Sequence, residues 1–207
     1  KEEFYETLRY FNTQLAKSKV QVQLNSEQTV AQLINQGFDE IVIATGIVPR
    51  QLNIEGINHP KVKSYLQVLR DKELVGNKVA IVGAGGIGFD VASFLAEKNS
   101  LTLDSEAWLT EWGVDKNYQH GGAIISLASH KKSSREIYLL QRKSTKVGAG
   151  LGKTTGWIHR HSLKNKGVKM LNNVSYQRIS DQGFEIEIDG ITQLLEVDHV
   201  IICAGQE

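Results

Sequence analysis

The sequence predicts an α/β fold: a Rossmann-like dinucleotide-binding domain with a parallel sheet, joined to a β-meander. Three observations carry that expectation. The apolar run Lys78-Val79-Ala80-Ile81-Val82 breaks into glycines spaced G-x-G-x-x-G (Gly83, Gly85, Gly88), and a helix-like segment, Phe89 to Lys98, follows at once. Short β-rich runs at 168–171, 174–179, 184–188 and 194–197 are separated by turn residues such as Asp181-Gln182-Gly183 and Asp189-Gly190. A strand-like pattern also occurs twice. Gly37-Phe38-Asp39-Glu40-Ile41-Val42-Ile43-Ala44-Thr45-Gly46 parallels Val197-Asp198-His199-Val200-Ile201-Ile202-Cys203-Ala204-Gly205. Each copy is an acid, a β-branched run and a small-residue turn, which suggests two like nucleotide-binding halves.

The glycine stretch has a mechanical reading. Gly83 permits the tight turn off the strand, Gly85 lets the backbone approach a pyrophosphate, and Gly88 lets the helix pack on the strand. The candidate contacts are therefore Gly83, Ala84, Gly85, Gly86 and Ile87, with the pyrophosphate on the unpaired N–H groups of the helix start. The same pattern can also be a plain strand-to-helix turn.

In chain order, Phe4, Leu8, Phe11 and Leu15 fall at helical spacing within residues 3–17 and predict a helix with a core-facing stripe. Val20 to Leu24 alternates and predicts a half-buried strand. Thr29 to Gln36 predicts a short helix ended by Gly37, and Phe38 to Gly46 a buried strand. Pro49 and Gly56 mark a connection, and Ser64 to Arg70 a short capped helix. Residues 99–135 turn polar and read as a surface insertion, helical around Ser105 to Trp112. Its basic run Lys131-Lys132-Ser133-Ser134-Arg135 reads as a solvated loop. A strand is expected over Glu136 to Lys143, a helix over 154–166 closed by Gly167, and a final strand over His199 to Cys203.

Composition bounds the function. The chain has 207 residues, is 41% hydrophobic and 23% charged, and carries a formal net charge of +1. That balance gives no global attraction to nucleic acid or to acidic membranes. No apolar run approaches the roughly 20 residues needed to span a bilayer. With no signal-peptide pattern, a cytoplasmic setting is expected. The single cysteine, Cys203, excludes an intrachain disulfide and an iron–sulfur cluster held by this segment alone. Its apolar neighbours favour a buried small hydrophobe over a reactive thiol. The chain begins at Lys1, has Met170 as its one methionine and stops just past a strand end. It is expected to be a piece of a longer polypeptide.

The second strand of a dinucleotide fold reads the adenosine ribose: a carboxylate there selects NAD, and arginine accommodates the 2′-phosphate of NADP. This chain has Gln141-Arg142-Lys143 where the acid would be expected. Arginine can fork onto phosphate oxygens and lysine adds a point charge, so Arg142 and Lys143 favour NADPH over NADH. They lie farther from Gly88 than the usual ~20 residues, an excess that the 99–135 insertion covers if it leaves strand order intact. Gly150-Leu151-Gly152-Lys153-Thr154-Thr155-Gly156 is not a Walker A loop, because Val147 occupies the position of its first glycine. Gly-Lys-Thr could still touch a phosphate, or Thr155 could cap the helix. The histidines show no metal-ligand spacing, and the sequence offers no reason to propose a catalytic side chain.

On these residues the chain resembles the C-terminal part of the bacterial NADPH-dependent 2,4-dienoyl-CoA reductases, relatives of the old-yellow-enzyme and trimethylamine-dehydrogenase flavoproteins. The similarity runs through nearly the whole chain. It is most specific in Val79 to Asp90, in Leu140-Gln141-Arg142-Lys143 and in Gly150 to Arg160. The resemblance implies a longer enzyme with an N-terminal (β/α)8 barrel carrying FMN, an iron–sulfur cluster, and a C-terminal pair of FAD- and NADP-binding domains. NADPH would reduce FAD, electrons would pass singly through the cluster to FMN, and FMN would reduce the dienoyl-CoA in β-oxidation of unsaturated fatty acids.

The resemblance also implies a division of this chain. Residues 1–46 would be the back half of the FAD-binding domain, with Ala44-Thr45-Gly46 as its FAD-facing turn, and 47–76 a connection. Residues 77–203 would form the NADP-binding domain, and 204–207 the start of the return to the FAD domain. Ala204, Gly205 and Gln206 would lie near the nicotinamide–flavin junction. FMN and the cluster would belong to the missing barrel, which would be this segment's partner, and the isolated chain would be inactive. A second reading within the same relatives is a nucleotide-holding, ADP-type module without redox turnover. In a third, the 99–135 insertion serves as a docking surface for the barrel.

Overall fold

The computed structural model describes residues 2–125 and 131–207. It forms two units: Lys1–Gly46 with Leu101–Trp108, and Ile47–Ser100 with Leu109–Glu207. Residues 126–130 of the expected insertion lie outside the described residues.

In the first unit a short 3-10 turn, Glu2–Phe4, leads into helix α1 (Tyr5–Lys17), and helix α2 (Val30–Asn35) follows. Glu6 in the first turn of α1 and Lys17 in its last complement the helix dipole. Thr29 and Gln32 form a reciprocal capping box that starts α2. Three expectations fail here. The stripe on α1 is not core-facing: Phe4 is 63% exposed, Leu8 60% and Phe11 57%. Residues 20–24 form no strand, and neither do residues 38–46. The physical reason is common to all three. A strand needs a neighbour to complete its ladder and an apolar stripe needs a facing surface, and the described residues of this unit supply neither to these segments.

The second unit holds a five-stranded parallel sheet. Its elements, in chain order, are β1 (Val62–Ser64), α3 (Tyr65–Leu69), β2 (Lys78–Val82) and α4 (Gly86–Ala96), then α5 (Ser105–Glu111), which straddles the division between the units. After them come β3 (Glu136–Leu140), α6 (Gly156–Asn165), β4 (Lys169–Leu171), β5 (Val174–Ser180), β6 (Gly183–Ile188), β7 (Ile191–Leu195) and β8 (His199–Ile202). The sheet runs β1-β8-β2-β3-β4, and β5-β6-β7 is a separate antiparallel meander. The run at 168–171 therefore does not join the meander as expected. As β4 it pairs parallel with β3, through Leu139↔Met170. The last meander strand is Ile191–Leu195 rather than 194–197, because Asp189 (φ 52°) and Gly190 (φ 79°) make the two-residue primed turn that closes on the Ile188↔Ile191 pair.

Both faces of the parallel sheet are covered, as near-continuous apolar strands require. Val79, Ile81, Ile137, Leu139 and Ile201 point to the side of α3, α4 and α6, where Val68, Phe89, Leu95 and Leu163 are buried. Ala80, Val82, Leu140, Val200 and Ile202 meet the meander through Ile179, Phe184, Ile186 and Leu195. Burial pushes the Cys203 thiol up to about 12, consistent with its reading as a small hydrophobe.

Two polar anchors bind peripheral loops to this core. Arg135 donates from Nε to the Gly76 carbonyl (3.1 Å) and from Nη1 to that of Leu95 (3.0 Å), satisfying an acceptor in the last turn of α4. The basic run is therefore not simply a solvated loop. The ammonium of Lys166, 9% exposed, lies 3.0 Å from Glu111 and 3.7 Å from Glu97. Among the described residues no helix is long and apolar enough to cross a membrane.

Candidate functional site

Sheet order locates the site. From β2 the chain steps one way to β3 and β4, and it returns on the other side of β2 as β8. Such a reversal opens a crevice at the carboxyl ends of the two strands, where ligands of open α/β sheets bind. Val82 of β2 is level with Ile202 of β8 and Leu140 of β3, so the segments after all three strands leave the sheet side by side.

The turn after β2 is Gly83-Ala84-Gly85. Gly83 has φ 106°, and a Cβ there would come within 2.8 Å of the Cys203 carbonyl oxygen, so both conformation and space call for glycine. A Cβ on Gly88 would run into the Gly83 carbonyl. Gly85 and Gly86 face open space instead, with nothing within 4 Å of a built Cβ. Helix α4 begins with the Phe89 N–H to Gly85 carbonyl bond (3.1 Å), so the N–H groups of Gly86, Ile87 and Gly88 precede the helical ladder. An open, glycine-lined helix start fits a pyrophosphate.

Beside it, Gly83 donates to the Leu140 carbonyl (3.0 Å), and β3 runs on into Gln141-Arg142-Lys143. The strand stops at Leu140 rather than Lys143 because the Gln141 amide folds the chain, donating to the carbonyls of Lys143 (3.1 Å) and Thr145 (2.8 Å). Asn173 also donates to the Lys143 carbonyl at 3.0 Å. The backbone of this turn is thus pinned while the Arg142 and Lys143 side chains are exposed. Among the described residues no carboxylate pairs with either. Burial raises the Tyr176 hydroxyl to about 12 against the opposing charge of Arg142.

After β8, Ala204, Gly205 and Gln206 fold back against Val48 to Arg50. Val48 and Glu207 exchange both backbone hydrogen bonds (2.8 and 2.9 Å), and Gln206 Nε2 lies 3.4 Å from the Tyr65 hydroxyl. Arg50 lies against Gly205, where a Cβ would meet its guanidinium at 3.2 Å, and its Nε is 3.4 Å from a Glu207 carboxylate oxygen. Sequence reading missed Arg50. The signal was available in Pro49-Arg50, but only the antiparallel return of the chain brings that pair to β8.

The structure therefore groups Gly83 to Ile87, Arg142 and Lys143, and Ala204 to Gln206 at neighbouring strand ends. Ala44, Thr45 and Gly46 belong to the other unit, and no strand leads into their turn. Thr155 does not cap α6 through its side chain; its φ and ψ are helical, and the helix starts from the Gly156 N–H to Gly152 carbonyl bond (2.7 Å).

Comparison with known proteins adds the following. The family described as pyridine nucleotide-disulphide oxidoreductase matches residues 6–207. A metal reductase of Desulforamulus reducens is 26% identical over 200 residues, covering 90% of this chain and 27% of that protein. A cinnamate reductase of Clostridium sporogenes is 33% identical over 186 residues, covering 90% of this chain and 23% of that protein. A solved 2-naphthoyl-CoA reductase in complex with 2-naphthoyl-CoA has a TM-score of 0.73 at 23% identity, covering 100% of this chain and 26% of that one. The chain thus spans about a quarter of the length of these relatives.

Proposed function

The chain belongs to the pyridine nucleotide-disulphide oxidoreductase family, and from that premise we propose that it is the NADPH-binding unit of a longer flavoprotein reductase. The observation that carries this reading is the position of Arg142 and Lys143. They are two exposed cations, without carboxylate partners among the described residues, at the end of the strand beside an open glycine turn. The N–H groups of Gly86 and Ile87 would hold the pyrophosphate. Arg142 would fork onto the 2′-phosphate, with Lys143 adding charge. When bound, NADPH supplies a hydride. Ala204 to Gln206 and Arg50 line the end of β8, where the nicotinamide half would lie if the dinucleotide crosses the crevice.

The finer assignment is reduction of 2,4-dienoyl-CoA esters in a polypeptide whose N-terminal barrel carries FMN and an iron–sulfur cluster. It is supported by the stretches Val79 to Asp90, Leu140 to Lys143 and Gly150 to Arg160. In this assignment residues 1–46 are the back half of an FAD-binding domain, completed by chain outside this segment, and residues 77–203 are the NADP-binding domain.

Calorimetric titration with NADPH and NADH tests the proposal. NADPH should bind more tightly, and Arg142→Ala/Lys143→Ala should lose about tenfold to a hundredfold in NADPH affinity, the loss expected from one or two charge-assisted contacts. Equal affinities for the two nucleotides would sink the NADP assignment.

A further inference from the structure

The turn that carries Arg142 and Lys143 is held by side chains that bear no charge. Three consecutive carbonyls of this turn are engaged. That of Lys143 accepts from the Gln141 amide (3.1 Å) and from the Asn173 N–H (3.0 Å). That of Ser144 accepts from Asn172 Nδ2 (2.6 Å), and that of Thr145 from the Gln141 amide (2.8 Å). The Gln141 amide also donates to the Thr145 hydroxyl (3.2 Å). The backbone N–H groups of Arg142, Lys143, Ser144 and Thr145, by contrast, donate to nothing among the described residues.

Part of this hold comes from far along the chain. Asn172 and Asn173 make up the connection between β4 and β5, and Asn172 lies 28 residues from Ser144. That connection is itself fixed. The Gln141 N–H donates to the Leu171 carbonyl (2.9 Å) and the Gln141 carbonyl accepts from the Val174 N–H (3.0 Å), so the two asparagines are bracketed against the end of β3. Asn173 takes the left-handed conformation (φ 55°), and its side chain donates to Asp189 in the turn between β6 and β7. Asn172 is exposed and Gln141 half-buried, so neither side chain is part of the core.

The consequence is electrostatic. A carbonyl oxygen turned toward a phosphate repels it, whereas backbone N–H groups attract it. Gln141 and Asn172 draw the oxygens of 143–145 back toward the protein and leave the N–H groups of the same turn available. Arg142 and Lys143 are like charges on neighbouring residues, and a backbone fixed beforehand lowers the ordering cost when an anion binds between them.

We infer that Asn172 and Gln141 are positioning residues for selection of the phosphorylated dinucleotide. They act through the turn, keeping its carbonyls off the 2′-phosphate and its two cations in place. This role rests on the assignment of Arg142 and Lys143 to the 2′-phosphate.

The test titrates NADPH and NADH calorimetrically into the full 207-residue chain and into Asn172→Ala, Gln141→Leu and the double variant. Each single variant should bind NADPH about threefold to tenfold more weakly, the loss expected from one or two hydrogen bonds, and the double variant more weakly still. NADH affinity should stay within about twofold of wild type in all three, because NADH has no 2′-phosphate to misplace. The NADPH-to-NADH affinity ratio therefore falls, whereas general damage to the site lowers both affinities together. Equal losses for the two nucleotides would overturn the inference. If wild type prefers NADPH and both single variants keep that preference in full, the positioning role falls and the NADPH reading stands. If wild type binds the two nucleotides equally, the NADPH reading falls and the positioning role falls with it.

Discussion

Gly88, in the first turn of α4, packs against the carbonyl of Gly83 at the end of β2 so closely that a methyl group has no room. This contact sets how near the helix start comes to the strand. Both residues are glycine for spatial reasons that hold without any ligand. Gly85 and Gly86, between them in sequence, have no such constraint and leave space for one.

That difference separates stability from binding. Gly88→Ala should destabilise the second unit by about 1–3 kcal/mol, the usual cost of overpacking, as a lower denaturant midpoint. Gly85→Ala or Gly86→Ala should leave the stability within about 1 kcal/mol of wild type and weaken nucleotide binding instead. A large stability loss at Gly85 would show that the open space has a structural role.

Arg142 and Lys143 bear on salt dependence as well as affinity. If both meet phosphate, NADPH affinity should fall with rising ionic strength more steeply than NADH affinity, because exposed charges are screened. Calorimetry at two salt concentrations measures this. Parallel slopes for the two nucleotides would place the 2′-phosphate away from these side chains.

The Lys166 cluster ties α5 and the end of α4 to the end of α6 through Glu111 and Glu97. Lys166→Ala leaves two partly buried carboxylates facing each other. A loss of roughly 1–3 kcal/mol is expected, below the ~3–5 kcal/mol of a fully buried pair, since both glutamates reach solvent. Chemical denaturation of Lys166→Ala, and of Lys166→Ala/Glu111→Gln as a partial rescue, checks it.

Asp115 makes the 115–120 loop acid-sensitive. Its buried carboxylate accepts from His120 Nδ1 (2.8 Å) and from the backbone N–H groups of Asn117, Gln119 and His120, and these bonds hold it down to about 2. A depressed carboxylate stabilises the fold above its unfolded value near ~3.9, and that stabilisation fades as pH falls through the folded value. Stability should therefore drop between about pH 4 and pH 2, and Asp115→Asn should flatten that part of the profile. An unaltered profile in the variant would remove Asp115 as the cause.

Cys203 should be inert while the protein is folded. With its thiol pushed up to about 12 by burial, it should react with a disulfide reagent at pH 8 only as fast as the second unit opens. Reaction at the rate of a free thiol in native buffer would contradict its burial.

Much of the second unit was legible in the sequence because its signals are local. The glycine spacing, the capped helix start at Ser64 and the Asp189-Gly190 turn act within a few residues, and each is found at its expected place. The clearest failure is the pair of matching strand patterns. His199 to Ile202 became a central strand between β1 and β2, whereas the similar Phe38 to Gly46 became none. The patterns differ little; the available neighbours differ entirely.

By itself the sequence determined the α/β class, the glycine turn and the cations that follow the second strand, because backbone permissiveness and charge belong to individual residues. Tertiary structure alone decided that 168–171 joins the parallel sheet and that Arg50 reaches Gly205. It also decided that Asn172 reaches the Ser144 carbonyl. Those outcomes depend on which strand ends pack side by side, and sheet order is set by long-range burial that no short stretch encodes.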